Sequence, residues 1–215
     1  MSAAEATVLD TLARERVLPV VVLDDAHAAL PLGAALAAGG LTTAEVTLRT
    51  PAALDAIRTL ADRTDLLVGA GTVTSAEQVD RVVDAGARFV VSPGFSAAVV
   101  DRCRRHGVPA IPGVATPTEI QMALDAGVSV VKFFPAEQLG GLPMLTALAA
   151  PFPGLRFVPT GGIGAGTLRG WLDHPAVLAV GGTWMVAAGL LRAGRWDDVT
   201  TLTAAAVAAG REEDR

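Results

Sequence analysis

The sequence predicts an α/β protein of one domain, residues 1–215, built as a (β/α)8 TIM barrel with parallel strands. Three observations carry that expectation. Short apolar runs recur through the whole chain, their starts spaced by roughly 20 to 27 residues, the length of one strand, one helix and two short loops. Ala-rich stretches of helical period separate these runs, and no β-hairpin signal occurs, so the sheet must be parallel. The length of 215 residues suits a barrel that folds as a single unit.

The first strand is read in "VLPVVVL" from Val17 and the second in "AEVTL" from Ala44. The third, "LLVGAG" from Leu66, hands over to "TSAE" (Thr74 to Glu77), a capping-box pattern that starts a helix; Gly86 in "DAGA" ends that helix in a left-handed cap. "ARFVVS" from Ala87 is the fourth. In the helix after it Val99, Val100 and Cys103 share one face, and Gly107 closes it. "PAIPGV" from Pro109 is the fifth, followed by "TPTE" (Thr116 to Glu119) with Pro117 at the first helical position and Gly127 as the terminal cap. "VSVVKFF" from Val128, "LRFVPTGG" from Leu155 and "AVLAVGG" from Ala176 complete the set of strands, and the tail "REEDR" reads as a solvated end. An open doubly wound sheet is the competing arrangement. Against it, no G-x-G-x-x-G follows the first strand, where "VVVLDDAHAAL" stands, and "TGGIGAG" has another spacing and follows the seventh.

Composition narrows the function. Hydrophobic residues at 51% against 18% charged exclude a disordered chain, and the net charge of −5 argues against a nucleic-acid partner, so a charged substrate must be met locally. Three stretches free of Asp, Glu, Lys and Arg, residues 26–44, 138–155 and 174–191, are rich in Ala and broken by Gly and Pro; they read as buried helix, turn and strand, not as membrane spans. Glu5 and Asp10 stand where a secretory signal would be basic and then apolar, so a cytoplasmic location is expected. The lone Cys103 cannot form an internal disulfide and reads as a core thiol. His27, His106 and His174 have no ligand spacing, and neither a metal nor another cofactor is expected.

In a barrel alternate strand residues point inward, and function gathers at the C-terminal strand ends. That rule puts Lys132 on the axis side with Val130 and Phe134, and Val131 and Phe133 on the helix side. It also groups Glu45, Thr47 and Arg49 inward, with Val46 and Leu48 under the helices. A strand covered on both faces is normally apolar throughout. An ion-pair network filling the centre would account for these residues, but such networks add little over apolar packing, so two cations and one anion at strand ends point to chemistry. Desolvation and the like charge of Arg49 both favour a neutral Lys132. A neutral amine attacks ketones and aldehydes to form a Schiff base, whose iminium accepts the electrons of an adjacent breaking bond; Glu45 is the inward carboxylate able to carry the proton. "PTGGIGAGTL" after the seventh strand and "VGGTW" after the eighth stand where barrels bind phosphate, and Thr72 in "GAGT" offers a hydroxyl.

Taken together and in this order, "AEVTLRT", "GAGTV", "VSPGF", "PGVATPTE", "KFFPAE", "PTGGI" and "GGTW" resemble the 2-keto-3-deoxy-6-phosphogluconate (KDPG) aldolases, also called 4-hydroxy-2-oxoglutarate (KHG) aldolases. The resemblance runs from about Val17 to Trp184. It implies a homotrimeric class I aldolase of the Entner–Doudoroff pathway that splits KDPG into pyruvate and glyceraldehyde 3-phosphate, and KHG into pyruvate and glyoxylate. By motif, Lys132 is the Schiff-base lysine and Glu45 the acid and base, while Arg49 and Thr72 hold the carboxylate of the pyruvate half. Gly161, Gly162, Gly182 and Thr183 hold the phosphate, with Pro93 and Phe134 shaping the pocket. Thr160 resembles the gluconate-type enzymes, whose galactonate-type relatives look more apolar there. Thr183 stands where serine is common and Ala187 where proline is common. The alternatives are a galactonate-type aldolase, a sugar-phosphate isomerase or epimerase using Glu45 as base, and a sugar-phosphate-binding regulator without catalysis.

Overall fold

A computed structural model describes residues 3–211, so the tail read as a solvated end lies, past Arg211, outside the described residues. The strands are β1 (Val17–Val21), β2 (Thr43–Thr47), β3 (Leu67–Gly71), β4 (Phe89–Val91), β5 (Ala110–Ile111), β6 (Gly113–Val114), β7 (Val130–Phe133), β8 (Arg156–Phe157) and β9 (Val180–Gly182). Every pairing between them is parallel: one sheet runs β5-β4-β3-β2-β1-β9 and the other β6-β7-β8. β5 and β6 are two halves of one barrel strand interrupted at Pro112, which has no N–H to give a ladder but whose carbonyl accepts from Lys132 N–H at 2.9 Å. Single parallel bridges, Phe157 to Val177 and Thr160 to Gly181, join the β8 side to the β9 side. The ring of eight strands predicted from the apolar runs therefore closes as a (β/α)8 barrel, with the eighth strand, expected from Ala176, starting as a ladder only at Val180.

Helices alternate with the strands: α1 (Ala3–Glu15), α2 (Ala29–Ala38), α3 (Ala53–Arg63), α4 (Ala76–Asp84), α5 (Ala97–His106), α6 (Pro117–Asp125), α7 (Gly141–Ala149), α8 (Ala165–Leu172), α9 (Ala188–Arg192) and α10 (Trp196–Arg211). Their inner faces follow the helical period; in α3 the buried residues are Ala53, Ala56, Ile57 and Leu60. The expected left-handed glycines close helices, Gly86 at φ +97°, Gly107 at +68° and Gly127 at +74°. Thr116 makes the expected capping box with Glu119, and Pro117 opens α6. The box expected at Thr74 does not form. Ser75, not Thr74, caps α4, accepting from Gln78 N–H, while Thr74 N–H donates to Gln78 Oε1 at 2.6 Å.

Two apolar layers result. The larger lies between sheet and helices and includes Val46, Val131, Phe133 and Cys103, whose thiol burial pushes up to about 12. The smaller fills the barrel itself: Leu18, Phe89, Val91, Ile111 and Val130 from β1, β4, β5 and β7, with Val158 just after β8 and Leu178 just before β9. Helix α1, which the sequence reading left without a structural role, adds Val8 and Leu12 to this inner cluster and so plugs the N-terminal end of the barrel. Among the described residues no helix is long and apolar enough to cross a membrane.

Candidate active site

The inward parity assigned to β7 holds. Val130 belongs to the barrel interior, Val131 and Phe133 to the outer layer, and Lys132 lies inside, its side chain 6% exposed. On β2, Val46 joins the outer layer while Glu45 and Thr47 are buried on the other face. Lys132 Nζ and Glu45 Oε1 meet at 3.4 Å, and the Glu45 side chain is only 1% exposed. Two opposite charges removed from water and facing each other across a barrel form a costly pair, and apolar side chains would fill the same volume as well. Lys132 Nζ also lies over the Phe134 ring, 5.2 Å from its centroid.

The two glycines of β3 make this pair possible. Gly69 stands level with Glu45 and Gly71 level with Thr47 in the β2–β3 register. A Cβ on Gly69 would sit 2.1 Å from the Phe89 ring, and one on Gly71 would sit 2.1 Å from Glu45 Oε1. The first leaves room for the Phe89 ring and the second for the Glu45 carboxylate. Sequence reasoning missed both. The signal was present as glycine at alternate positions of a strand, on the face where the partner strand carries Glu45.

Thr47 supports the same corner by donating its hydroxyl to Val21 O at 2.9 Å across to β1. Thr72, directly after β3, is half-buried and holds φ at +60°, a left-handed conformation that costs an L-residue roughly 1–2 kcal/mol and that clusters at functional sites. Arg49 lies past the end of β2 and is exposed; among the described residues its guanidinium has no recorded side-chain partner. The Lys132 amine thus faces the Glu45 carboxylate, while the Arg49 guanidinium stands exposed past the strand end.

Pro93 is exposed after β4, and its carbonyl is where a Cβ on Gly113 would collide, at 2.1 Å, so the fourth and fifth strand ends touch backbone to backbone. Phe134 is half-buried at the end of β7, and the Phe134–Pro135 bond is cis. Thr160 is buried after β8 and bridges to Gly181, where an added Cβ would lie 2.2 Å from Thr160 Oγ1. Gly161 and Gly162 have φ of +105° and +79°, a backbone that only glycine adopts freely. Gly182 is buried, and its missing Cβ makes room for the Trp184 ring, while Thr183 beside it is exposed. Gly164 then caps α8, so the loop runs straight into a helix N-terminus. The structure brings all the sequence-selected residues to the C-terminal strand ends, the face where barrels carry their sites. The histidines are elsewhere: His27 in a 3-10 turn, His106 against Asp80, and His174 accepting from Ala176 N–H.

The chain matches the family model described as "Aldolase: KDPG and KHG aldolase" over residues 8–202. A 2-dehydro-3-deoxy-phosphogluconate aldolase of Treponema pallidum is 52% identical over 198 residues, 92% of this chain and 94% of the relative. The crystal structure of KDPG aldolase from Legionella pneumophila, with pyruvate captured as a covalent carbinolamine intermediate, superposes with a TM-score of 0.90 at 41% identity, covering 93% of this chain and 97% of that one. The Zymomonas mobilis enzyme with 3-phosphoglycerate superposes with a TM-score of 0.88 at 40% identity, over 95% and 97% of the two chains. With the match spanning nearly the whole barrel, from the α1 plug to α10, the chain belongs to the KDPG and KHG aldolase family.

Proposed function

We propose that this protein is a class I aldolase that cleaves KDPG to pyruvate and glyceraldehyde 3-phosphate through a Schiff base on Lys132, and that it cleaves KHG to pyruvate and glyoxylate in the same site. The observation that carries the reading is the buried Lys132–Glu45 pair at 3.4 Å on the functional face of the barrel. The pair is a poor way to stabilise a core and a good way to move a proton between an amine and a substrate. Glu45 takes a proton from Lys132, and the free amine adds to the C2 ketone. Proton return from Glu45 lets the carbinolamine lose water to the iminium. Glu45, through a water, then accepts the C4 hydroxyl proton while the C3–C4 bond breaks and its electron pair moves into the iminium. Glyceraldehyde 3-phosphate leaves, and the enamine of pyruvate stays on Lys132. Glu45 returns the proton to C3, and hydrolysis of the iminium by water frees pyruvate and the amine.

Binding follows from the surrounding groups. Arg49 supplies a free guanidinium and Thr72 a hydroxyl for the pyruvate carboxylate. Gly161, Gly162, Gly182 and Thr183 present backbone and hydroxyl donors to the phosphate, near the N-terminus of α8. Phe134 and Pro93 wall the pocket, and Thr160 favours the gluconate over the galactonate epimer. The chain acts as one barrel unit, in the cytoplasm, as a homotrimer and without a cofactor.

Incubation with pyruvate and borohydride is the test. One reduced pyruvyl adduct is expected per chain, located at Lys132 by peptide mass spectrometry. No adduct, with sugar-phosphate isomerisation instead of pyruvate release, would leave Lys132 as an electrostatic group only and overturn the reading.

A further inference from the structure

We propose that Glu137 is a positioning residue that locks the phosphate loop to the Schiff-base strand and thereby sets the preference for phosphorylated over unphosphorylated keto acids. The proposal rests on the reading of Gly161 and Gly162 as that loop. Glu137 ends the "KFFPAE" motif; its carbonyl accepts a turn bond from Gly140 N–H at 3.2 Å, and its N–H and side chain run toward the loop and the helix behind it.

Its backbone N–H donates to Gly161 O at 3.1 Å, next to the bond from Ala136 N–H to Thr160 O at 2.8 Å. Its Cβ lies 2.6 Å from where a Cβ on Gly162 would be, so the Glu137 stem packs directly on the loop backbone. At its far end Oε1 accepts from Trp171 Nε1 at 2.9 Å. Trp171 is buried in α8, the helix that the loop feeds, and its ring meets Phe133 at 6.4 Å between centroids. Phe133 is the immediate neighbour of Lys132 on β7. The contacts thus form a closed circuit: from β7 through Glu137 to the loop and α8, and from α8 through Trp171 back to β7.

A pair of glycines in the left-handed region has more backbone freedom to lose on binding than any other pair. A strut that fixes them beforehand lowers the entropic cost of binding whatever the loop binds. Only the acceptor and the stem of Glu137 serve that purpose. Its negative charge works against a nearby phosphate, so glutamine should replace it without loss.

The experiment compares Glu137→Ala and Glu137→Gln with the wild type on KDPG and on 2-keto-3-deoxygluconate, the same keto acid without its phosphate. For Glu137→Ala we expect KM for KDPG to rise about tenfold, with kcat and the values for the unphosphorylated acid within about twofold of wild type. Glu137→Gln should stay within about twofold on both substrates. Trp171→Phe, which keeps an aromatic ring and removes the N–H donor, should shift KM for KDPG in the same direction and carries the test if Glu137→Ala does not fold. A wild type that makes no distinction between the two substrates overturns the loop reading and the proposal with it. A wild type that prefers KDPG, with variants that keep that preference or lose the same factor on both substrates, overturns the role of Glu137 alone.

Discussion

The two ends of the barrel are built from the same strands and could hardly differ more. At the N-terminal end the axis is filled by Leu18, Phe89, Ile111, Val130 and Leu178 and sealed from outside by Val8 and Leu12 of α1. Two residues further along β7 the same inward face carries Lys132 in place of Val130, and across from it β2 carries Glu45. Even the glycines of β3 divide by end, Gly69 yielding space to the Phe89 ring and Gly71 to the Glu45 carboxylate. A barrel strand is thus a stability element at one end and a catalytic element at the other, and the pleat period of two keeps both on one face. Changes at the apolar end should therefore move folding and spare chemistry, and changes at the polar end should do the reverse.

Leu12→Ala tests the apolar end and should have the larger effect. Leu12 is 1% exposed and packs into a wholly apolar cluster, so its truncation should cost about 2–5 kcal/mol of unfolding free energy, read from the denaturant midpoint. The pyruvate-release rate of the folded enzyme at low temperature should stay at the wild-type value. A comparable loss of rate per folded molecule would show that the plug communicates with the site, and the division between the ends would fail.

Gly71→Ala tests the other end. The added Cβ would meet Glu45 Oε1 at 2.1 Å and its Cγ and Cδ at 2.8 Å, so the carboxyl end of that buried side chain has to shift. Displaced from Lys132 by about 1 Å, it would no longer be in place to move protons, and kcat should fall by about 10- to 100-fold. Lys132 itself is untouched, so prolonged borohydride trapping with pyruvate should still reach one adduct per chain. An unchanged kcat would mean that the position of the Glu45 carboxylate does not limit the reaction.

Much of this division was legible in the residues. β-branched runs broken by capped helices determined the strand count, and polar residues at alternate positions of "AEVTLRT" and "VVKFF" marked both the inward face and the buried Lys132–Glu45 pair. What stayed hidden depends on three-dimensional closeness. α1 has an ordinary amphipathic pattern, and nothing in that pattern says that its apolar face meets a barrel end and not a neighbouring helix. Gly71 reads as a turn residue until Glu45 is found beside it, and the pairing of Lys132 with Glu45 spans 87 residues of sequence. The cap of α4 was misread by one position because Thr74 and Ser75 both have hydroxyls; the choice is made by Gln78, whose side-chain oxygen reaches back to Thr74 N–H.

The outer helices belong to neither end, and there the smallest effect is expected. Asp80 of α4 accepts from His106 at 2.7 Å and pairs with Arg102, both on α5. The His106 hydrogen bond first, and then that of Arg102, holds the Asp80 carboxyl below the usual aspartate range. A carboxyl depressed in the folded state contributes stability above its unfolded value, about 3.9, and that contribution is lost as pH falls through the folded value. Asp80→Asn should therefore melt slightly below wild type at neutral pH, by an amount that shrinks in high salt because the group is exposed to solvent. On acidification the two melting curves should converge as pH falls through the depressed folded-state value of Asp80, below which its carboxyl is neutral. Pyruvate release should be the same for both proteins throughout, since the α4–α5 contact lies on the outer shell and reaches neither the apolar plug nor the Lys132–Glu45 pair. A gap that persists in strong acid would assign the effect of Asp80 to packing instead of charge.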